Sequence, residues 1–162
     1  MSRSNVRAPS KILGLGAALD YSQVHAVVRA QYAKLLTQEI WQMLIQAADF
    51  EAVLTILRRT AYTDRLQLSP QMLTPRRVAY EIRWRLAQNY TKIIRMSSEP
   101  ARTVVLHLWH HYEVDNLKAG LRGVETGATW DRVLHLLYPM DRDISVTRDH
   151  IRAMLKAGGM ED

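Results

Sequence analysis

The sequence predicts an all-α protein, a compact domain of several helices, and three observations support this prediction. Apolar residues recur at intervals of three and four along most of the chain, which is the spacing of one helix face. The few glycines and prolines lie mostly between these periodic segments. Alternating apolar and polar runs joined by hairpin turns, which would indicate strands, do not occur. At 162 residues and 48% hydrophobic content, the chain is long enough to bury a core.

The N-terminal segment is basic, with Arg3, Arg7 and Lys11 and no acidic residue before position 20. We predict a flexible basic arm over residues 1–19, followed by a single all-helical domain over residues 20–162. The same composition also occurs in organelle transit peptides, which is the alternative interpretation of this segment.

Three helices are expected in the first part of the domain. The first should run from about Tyr21 to Leu36, where apolar residues have helical spacing. Thr37 is the predicted N-cap of a short second helix, and Asp49 is the predicted N-cap of the third. The apolar stripe of the third helix consists of Val53, Leu54 and Leu57.

Two long helices should follow the proline-containing segment RLQLSPQMLTP. Thr74 and Pro75 predict the start of the first, as an N-cap and a proline at the first helical position. Its apolar side is expected to carry Val78, Ile82, Leu86, Tyr90 and Ile93. Ser98 and Pro100 predict the start of the second, which should stop at about Arg122, before Gly123. Its core-facing residues are expected to be Val104, Val105, Leu108, Tyr112 and Leu117.

Two shorter helices complete the prediction. Thr129 precedes a short helix that carries Trp130, and a proline lies beyond its end. Thr147 is the expected cap of the last helix, RDHIRAMLKA, which Gly158 and Gly159 should end.

The composition excludes several kinds of site. The chain has no cysteine, so disulfides, thiolate zinc sites and cysteine nucleophiles are excluded. Polar residues interrupt every apolar stretch well before the roughly 20 residues that a membrane-spanning helix needs. A phosphate-binding P-loop and a Gly-x-Ser-x-Gly nucleophile elbow are also missing. We therefore expect no catalytic residue and no cofactor.

A net charge of +6 predicts an anionic partner, which can be nucleic acid, an acidic lipid surface or an acidic protein face. The first long helix should present a basic face beside Trp84 and Tyr90. This face consists of Arg76, Arg77, Arg85, Lys92 and Arg95. Contacts between such a face and phosphates would make the chain a small basic helical nucleic-acid-binding protein, which is one functional hypothesis.

Three histidines lie close together in HLWHHYEVDNLKAGLRG, at His107, His110 and His111. Nitrogen ligands at positions i and i+4 of a helix are one way to hold zinc, and His107 and His111 have this spacing. The glutamate of a His-Glu-x-x-His motif is missing between them. We therefore expect ordinary polar helix residues here, with a metal site as the alternative.

Three segments together resemble the family of C subunits from archaeal-type and bacterial V-type ATPases, whose counterpart in the eukaryotic vacuolar enzyme is the d subunit. YSQVHAVVRAQYAKLL resembles the opening pattern of the family through Tyr21, Arg29 and a Leu-Leu ending. FEAVLTILRRTAY is similar to a family helix that ends in a tyrosine, here Tyr62. The strongest resemblance is YEVDNLKAGLRG, through Tyr112, Glu113, Val114, Asp115, Asn116, Leu117, Lys118, Leu121 and Arg122.

The resemblance covers roughly Asp20 to Arg122, with weaker similarity beyond Trp130. Family members consist of three similar helical domains arranged as a funnel, and this chain has the length of about one. It is therefore expected to be a fragment, a split gene product or a reduced relative.

The resemblance implies a noncatalytic connector of a rotary ATPase that transports protons or sodium. Its partners would be central-stalk subunits and the membrane proteolipid ring, with a cytoplasmic, peripheral membrane location. Asn116, Lys118 and Arg122 would bond to neighbouring helices or loop carbonyls, a structural role that leaves the histidines on an exposed flank. Nucleic acid is the less favoured partner.

Overall fold

Residues 13–67 and 72–158 are described in a computed structural model, with side chains from residue 21 onward. This part of the chain contains seven α-helices, a 3₁₀ turn at Thr63–Arg65 and no strand, which confirms the all-α prediction. The helices are α1 (Leu13–Tyr32), α2 (Gln38–Ile45), α3 (Phe50–Arg58), α4 (Pro75–Met96), α5 (Ala101–Thr126), α6 (Trp130–Leu134) and α7 (Thr147–Ala157).

Three predicted N-caps, Thr37, Asp49 and Thr74, are confirmed. Each side-chain oxygen accepts a hydrogen bond from the backbone N–H three residues later, at 3.5, 2.8 and 3.2 Å respectively. The backbone N–H groups of the first helical turn have no acceptor inside the helix. Each of these bonds satisfies one such group, so together they fix where α2, α3 and α4 begin.

Helix α1 differs from its prediction at both ends. It begins at Leu13 instead of Tyr21, so residues 13–19 of the expected arm are helical. Residues 1–12, including Arg3, Arg7 and Lys11, lie outside the described residues. The helix ends at Tyr32, before Leu36. Beyond it, the N–H groups of Lys34 and Leu35 bond to carbonyls three residues earlier, which is a turn pattern, and the chain then reaches the N-cap of α2.

Helix α5 runs four residues past the stop predicted at Arg122. It ends at Thr126 and is capped by Gly127, whose φ of 63° is the left-handed conformation that glycine adopts without strain. Gly123 lies inside the helix, where a Cβ atom would come within 2.6 Å of Val133 Cγ2. This glycine therefore permits close packing and does not end the helix.

Thr147 is the first residue of α7 and not its cap, since Val146 occupies the cap position. The Thr147 hydroxyl instead donates to the Glu113 carboxylate on α5 at 3.3 Å. Thr129 does cap α6, although its side chain makes no capping hydrogen bond. Gly158 follows the end of α7 as predicted, and Gly159 lies outside the described residues.

The buried apolar residues form three clusters along the two long helices. The first connects α3 to the start of α4 and contains Leu54, Leu57, Leu66, Leu73 and Val78. The second connects α4 to α5 and contains Ala87, Ile94, Trp109 and Met140. The third connects α5 to α6 and α7 through residues that include Val133, Leu137, Ile151 and Leu155. Helices α4 and α5 thus carry most of the core.

The buried face of α5 differs from its prediction. Val104, Leu108 and Leu117, which were expected to face the core, are 58%, 53% and 39% exposed. The residues that are buried instead are Trp109, Asn116, Gly120 and Gly123. The glycines let α6 and α7 approach the helix closely, and the large Trp109 indole fills the space near α4.

The buried stripe of α4 agrees with its prediction only at Val78. Ile82, Leu86, Tyr90 and Ile93 are half-buried, and they flank the fully buried residues. These are Val78, Glu81, Ala87, Thr91 and Ile94. The stripe includes a carboxylate, which the apolar pattern did not mark.

Candidate interaction site

Asn116 lies on the inner face of α5 and is 3% exposed. Its side-chain Nδ2 donates to the Tyr138 carbonyl at 3.0 Å, and its Oδ1 accepts from the Tyr138 N–H at 2.7 Å. One amide thereby satisfies both backbone groups of a residue 22 positions away. We call this pair the Asn116 junction. Bonding from Asn116 to a loop carbonyl is what the resemblance implied.

Aromatic rings surround the Asn116 junction. The Trp109 ring lies 5.2 Å from the Tyr90 ring and 5.1 Å from the Tyr112 ring, and Tyr112 lies 4.7 Å from Tyr138. Burial, followed by the neighbouring Tyr112 hydroxyl, raises the pKa of Tyr90. The rings connect α4, α5 and the segment that follows α6, so Tyr112 is part of the packing between them.

Lys118 and Arg122 do not bond across to neighbouring elements, contrary to the expectation for this stretch. The Lys118 ammonium lies 3.3 Å from the Asp115 carboxylate on the same exposed side of α5. Within the described part of the chain, the Arg122 guanidinium makes no ion pair or hydrogen bond. Both residues project from α5 into a cleft beside it.

A second buried polar group, Glu81 on α4, was missed in the sequence. Glu81 is 3% exposed, and its carboxylate binds the guanidinium groups of Arg65 and Arg77, each at 2.7 Å. Arg65 also stacks over the Trp84 ring at 3.6 Å. We call this the Glu81 junction. The i,i+4 spacing of Arg77 and Glu81 could have indicated one half of it.

The five residues of the predicted basic face have different environments. Arg77 binds Glu81, and Arg85 donates to the Ala61 carbonyl. Arg95 binds Asp141 and Asp143 at 3.2 and 2.9 Å. The remaining two members of the face, Arg76 and Lys92, are exposed.

Most of this positive charge is therefore engaged within the protein. An array of uncommitted cations, which phosphate contacts along a nucleic acid need, is not formed by these five residues. Nothing in the described structure favours the nucleic-acid hypothesis.

The three histidines are exposed on α5. His107 Nδ1 lies 2.7 Å from the Thr103 carbonyl of its own helix, and His110 lies 3.6 Å from the Glu113 carboxylate. Among the described residues, no three His, Cys, Asp or Glu side chains are arranged to hold a metal ion. The helix therefore does not bring His107, His110 and His111 together as ligands.

The other residues of the resemblance lie apart from Asn116. Tyr21 and Arg29 are exposed on α1. Tyr62 is half-buried beside α4, where the Arg85 guanidinium lies 5.0 Å from its ring. The structure thus brings Tyr112 and Asn116 together but leaves Tyr21, Arg29 and Tyr62 at other positions.

Comparison with known families supplies the deciding observation. A family model described as ATP synthase (C/AC39) subunit matches residues 24–162. The chain belongs to this family. It is therefore a subunit of a V-type or related rotary ATPase, as the resemblance predicted. The match continues past Arg122 through α6 and α7, where only weaker similarity was expected.

No solved structure matches the chain. Among the described helices of this ATPase subunit, none combines the length and apolar character that crossing a bilayer requires.

Proposed function

We propose that this ATPase subunit is a noncatalytic connector between the central rotor stalk and the membrane proteolipid ring. The observation that carries the proposal is the family match over residues 24–162. The proposal also includes the predicted single helical domain over residues 20–162. Its mechanism would be stiffness, because a connector transmits torque only if it deforms less than the contacts at its two ends.

The architecture supports a stiff body. Helices α4 and α5 have 22 and 26 residues, or about 33 and 39 Å at roughly 1.5 Å per residue. The Asn116 and Glu81 junctions connect these helices to distant segments through buried hydrogen bonds and ion pairs. Such connections hold the segments around Tyr138 and Arg65 against α5 and α4 with a directionality that apolar packing alone does not provide.

An apolar stripe on the outer face of α5 supports contact with a partner subunit. Val114, Leu117 and Leu121 are 48%, 39% and 58% exposed, and their spacing places them on one side of the helix. They lie away from the buried Asn116. Contiguous exposed apolar residues of this kind are typical of interaction surfaces.

The positive charge supports a peripheral, cytoplasmic position at the membrane. A net charge of +6 suits the acidic faces of partner subunits and the anionic lipid surface around the ring. The contribution of this charge would be complementarity, which speeds association and orients the subunit.

The test is purification of the tagged chain from gently solubilised membranes of its source organism, with mass spectrometry of the proteins that co-purify. We expect stoichiometric central-stalk and proteolipid subunits with the unmodified chain. The variant Leu117→Asp/Leu121→Asp should lose them, because it places two charges in the apolar stripe.

The matched control is Ala153→Asp/Ala157→Asp, which adds the same charge at exposed positions of α7. It should retain the partners, and both variants should keep the helical circular dichroism of the parent. Recovery of the chain without any rotor or ring subunit would contradict the connector role.

A further inference from the structure

A cleft between α4, α5 and α6 has a volume of about 430 Å³. One wall is the α5 row that contains Lys118 and Arg122, which project from the same side of the helix. Arg132 enters from α6 and Arg83 from α4. Small apolar residues of α5 and α6, including Ala119 and Val133, form the rest of the lining. The site is concave and lies where three elements meet.

The charge of this cleft is strongly unbalanced. Four cationic side chains line it, Arg83, Lys118, Arg122 and Arg132, against one carboxylate, Asp115. An adjoining hollow shares Arg132 with the cleft and adds a fifth cation, Arg76. Only Lys118 pairs with Asp115. Like charges gathered in a concave wall repel one another, so the arrangement favours a bound anion.

The arginines of the cleft and the adjoining hollow differ in how many of their N–H groups are already bonded within the protein. Within the described residues, Arg76, Arg122 and Arg132 make no ion pair with a carboxylate. Arg83 donates one hydrogen bond to the His135 carbonyl at 3.2 Å and lies 5.6 Å from the Tyr138 ring. It is therefore held in place while its remaining N–H groups stay free to donate.

The volume of the cleft and its guanidinium donors indicate which class of ligand it can bind. Its volume lies within the range of small-molecule sites, roughly 300–1,000 Å³, and its concavity does not suit a flat protein face. Arginine forks bind phosphoryl oxygens in bidentate geometry, and several cations at one site match several negative charges. We propose that this cleft binds a phosphorylated ligand that carries two or more phosphoryl groups.

The proposal does not rest on the connector role, because it uses only the lining of the cleft. The shared chemistry is an oligophosphate, which can be free in solution or part of a lipid headgroup. Each source needs its own probe, namely inorganic tripolyphosphate or vesicles that contain a phosphatidylinositol bisphosphate.

The experiment is isothermal titration of the full chain with tripolyphosphate at about 0.15 M salt, where exposed charges are screened beyond about 8 Å. We expect saturable binding with one ligand per chain. Arg122→Gln/Arg132→Gln should weaken it about tenfold or more, because two positive charges and their charge-assisted hydrogen bonds are removed. Both residues are exposed, so their replacement should leave the melting temperature close to that of the parent.

The control is Arg29→Gln/Arg59→Gln, which removes the same charge from exposed positions outside the cleft. It should change the affinity by less than about twofold, the effect expected from net charge alone. Equal weakening by both pairs would overturn the proposal, because binding would then be nonspecific.

Comparing vesicles with tripolyphosphate distinguishes a lipid headgroup from a free oligophosphate. Binding to phosphatidylinositol bisphosphate vesicles but not to tripolyphosphate, lost in the cleft variant, supports a lipid headgroup as the ligand. Absence of binding to either probe overturns the proposal. Tighter binding of an oligoglutamate peptide than of tripolyphosphate, lost in the same variant, also overturns it and identifies an acidic protein segment instead.

Discussion

Glu81 and Asn116 lie on the two long helices, and each fixes a distant chain segment, but they do so by different chemistry. Glu81 on α4 binds two arginines, and Asn116 on α5 binds both backbone groups of Tyr138. The α4 junction depends on a balance of charges, whereas the α5 junction depends on the shape of one neutral amide. Equally buried polar groups can therefore respond quite differently to substitution and to pH.

The largest effect is expected at the Glu81 junction. Arg65→Ala/Arg77→Ala leaves the Glu81 carboxylate buried without a cation and should lower the free energy of unfolding by about 3–5 kcal/mol. Urea denaturation followed by circular dichroism measures this loss.

Adding Glu81→Leu to that variant should recover much of the loss, since the uncompensated charge is then gone. If the triple variant is no more stable than the double variant, the buried charge is not the cause of the loss.

The next effect is at the Asn116 junction. Asn116→Ala leaves the Tyr138 N–H and carbonyl without partners and should cost about 2 kcal/mol, measured by denaturation. An unchanged melting temperature would contradict the structural role of Asn116.

Asn116→Asp tests whether the Asn116 junction, unlike the Glu81 junction, requires a neutral side chain. Its carboxylate keeps the bond from the Tyr138 N–H but faces the Tyr138 carbonyl, so the folded state should raise the pKa of the new carboxyl. The variant should therefore be closest to the parent in stability at acidic pH and lose stability as the pH rises through that pKa. A pH-independent difference would argue against this arrangement.

A smaller effect is expected where α5 has glycine. In Gly123→Ala the new methyl would lie 2.6 Å from Val133 Cγ2, while alanine favours the helix by about 1 kcal/mol. Overpacking costs about 1–3 kcal/mol, so the net loss in stability should be about 1 kcal/mol. A double-mutant cycle with Val133→Ala should show favourable coupling, because the second change makes room for the methyl. A gain in stability from Gly123→Ala alone would show that α6 moves aside freely.

The smallest effect is expected at the exposed end of α4. The hydrogen bond from Arg95 holds the pKa of the Asp143 carboxyl below its ordinary value. This contribution is fully present above the unfolded pKa, about 3.9, and is lost as the pH falls through the lower folded pKa. Asp143→Asn should lower the melting temperature slightly at neutral pH and low salt, and the difference should vanish below that window or at high salt. A difference that persists in strong acid would assign the effect to another cause.

Features with a local cause could be predicted from the sequence. Thr37, Asp49 and Thr74 cap their helices through bonds to N–H groups three residues away, so a short window contains all the information. Asn116 was also identified, through the family resemblance, as a group that bonds outside its own helix. Its partner, the Tyr138 backbone, lies 22 residues away and could not be named from spacing.

Two of the wrong predictions concern α5 and one concerns α4. Apolar residues lie around the whole helix, with Leu108 and Leu117 exposed and Trp109 buried, so periodicity does not mark one face. Glycine often follows a helix end, so the sequence predicts that the helix stops before Gly123, but here the neighbouring Val133 requires the small size of this residue. The buried Glu81 was missed because its second partner, Arg65, reaches it only after the chain has folded.

Trp109 gives this protein an intrinsic optical probe. It is 1% exposed among three tyrosine rings, whereas the other tryptophans, Trp41, Trp84 and Trp130, are partly or largely exposed to solvent. Rings held in a fixed asymmetric environment produce near-ultraviolet circular dichroism, which disappears when packing loosens although helices persist. Near-ultraviolet circular dichroism can therefore report on the contact between α4 and α5 without a label, while the subunit is heated, titrated or assembled with its partners.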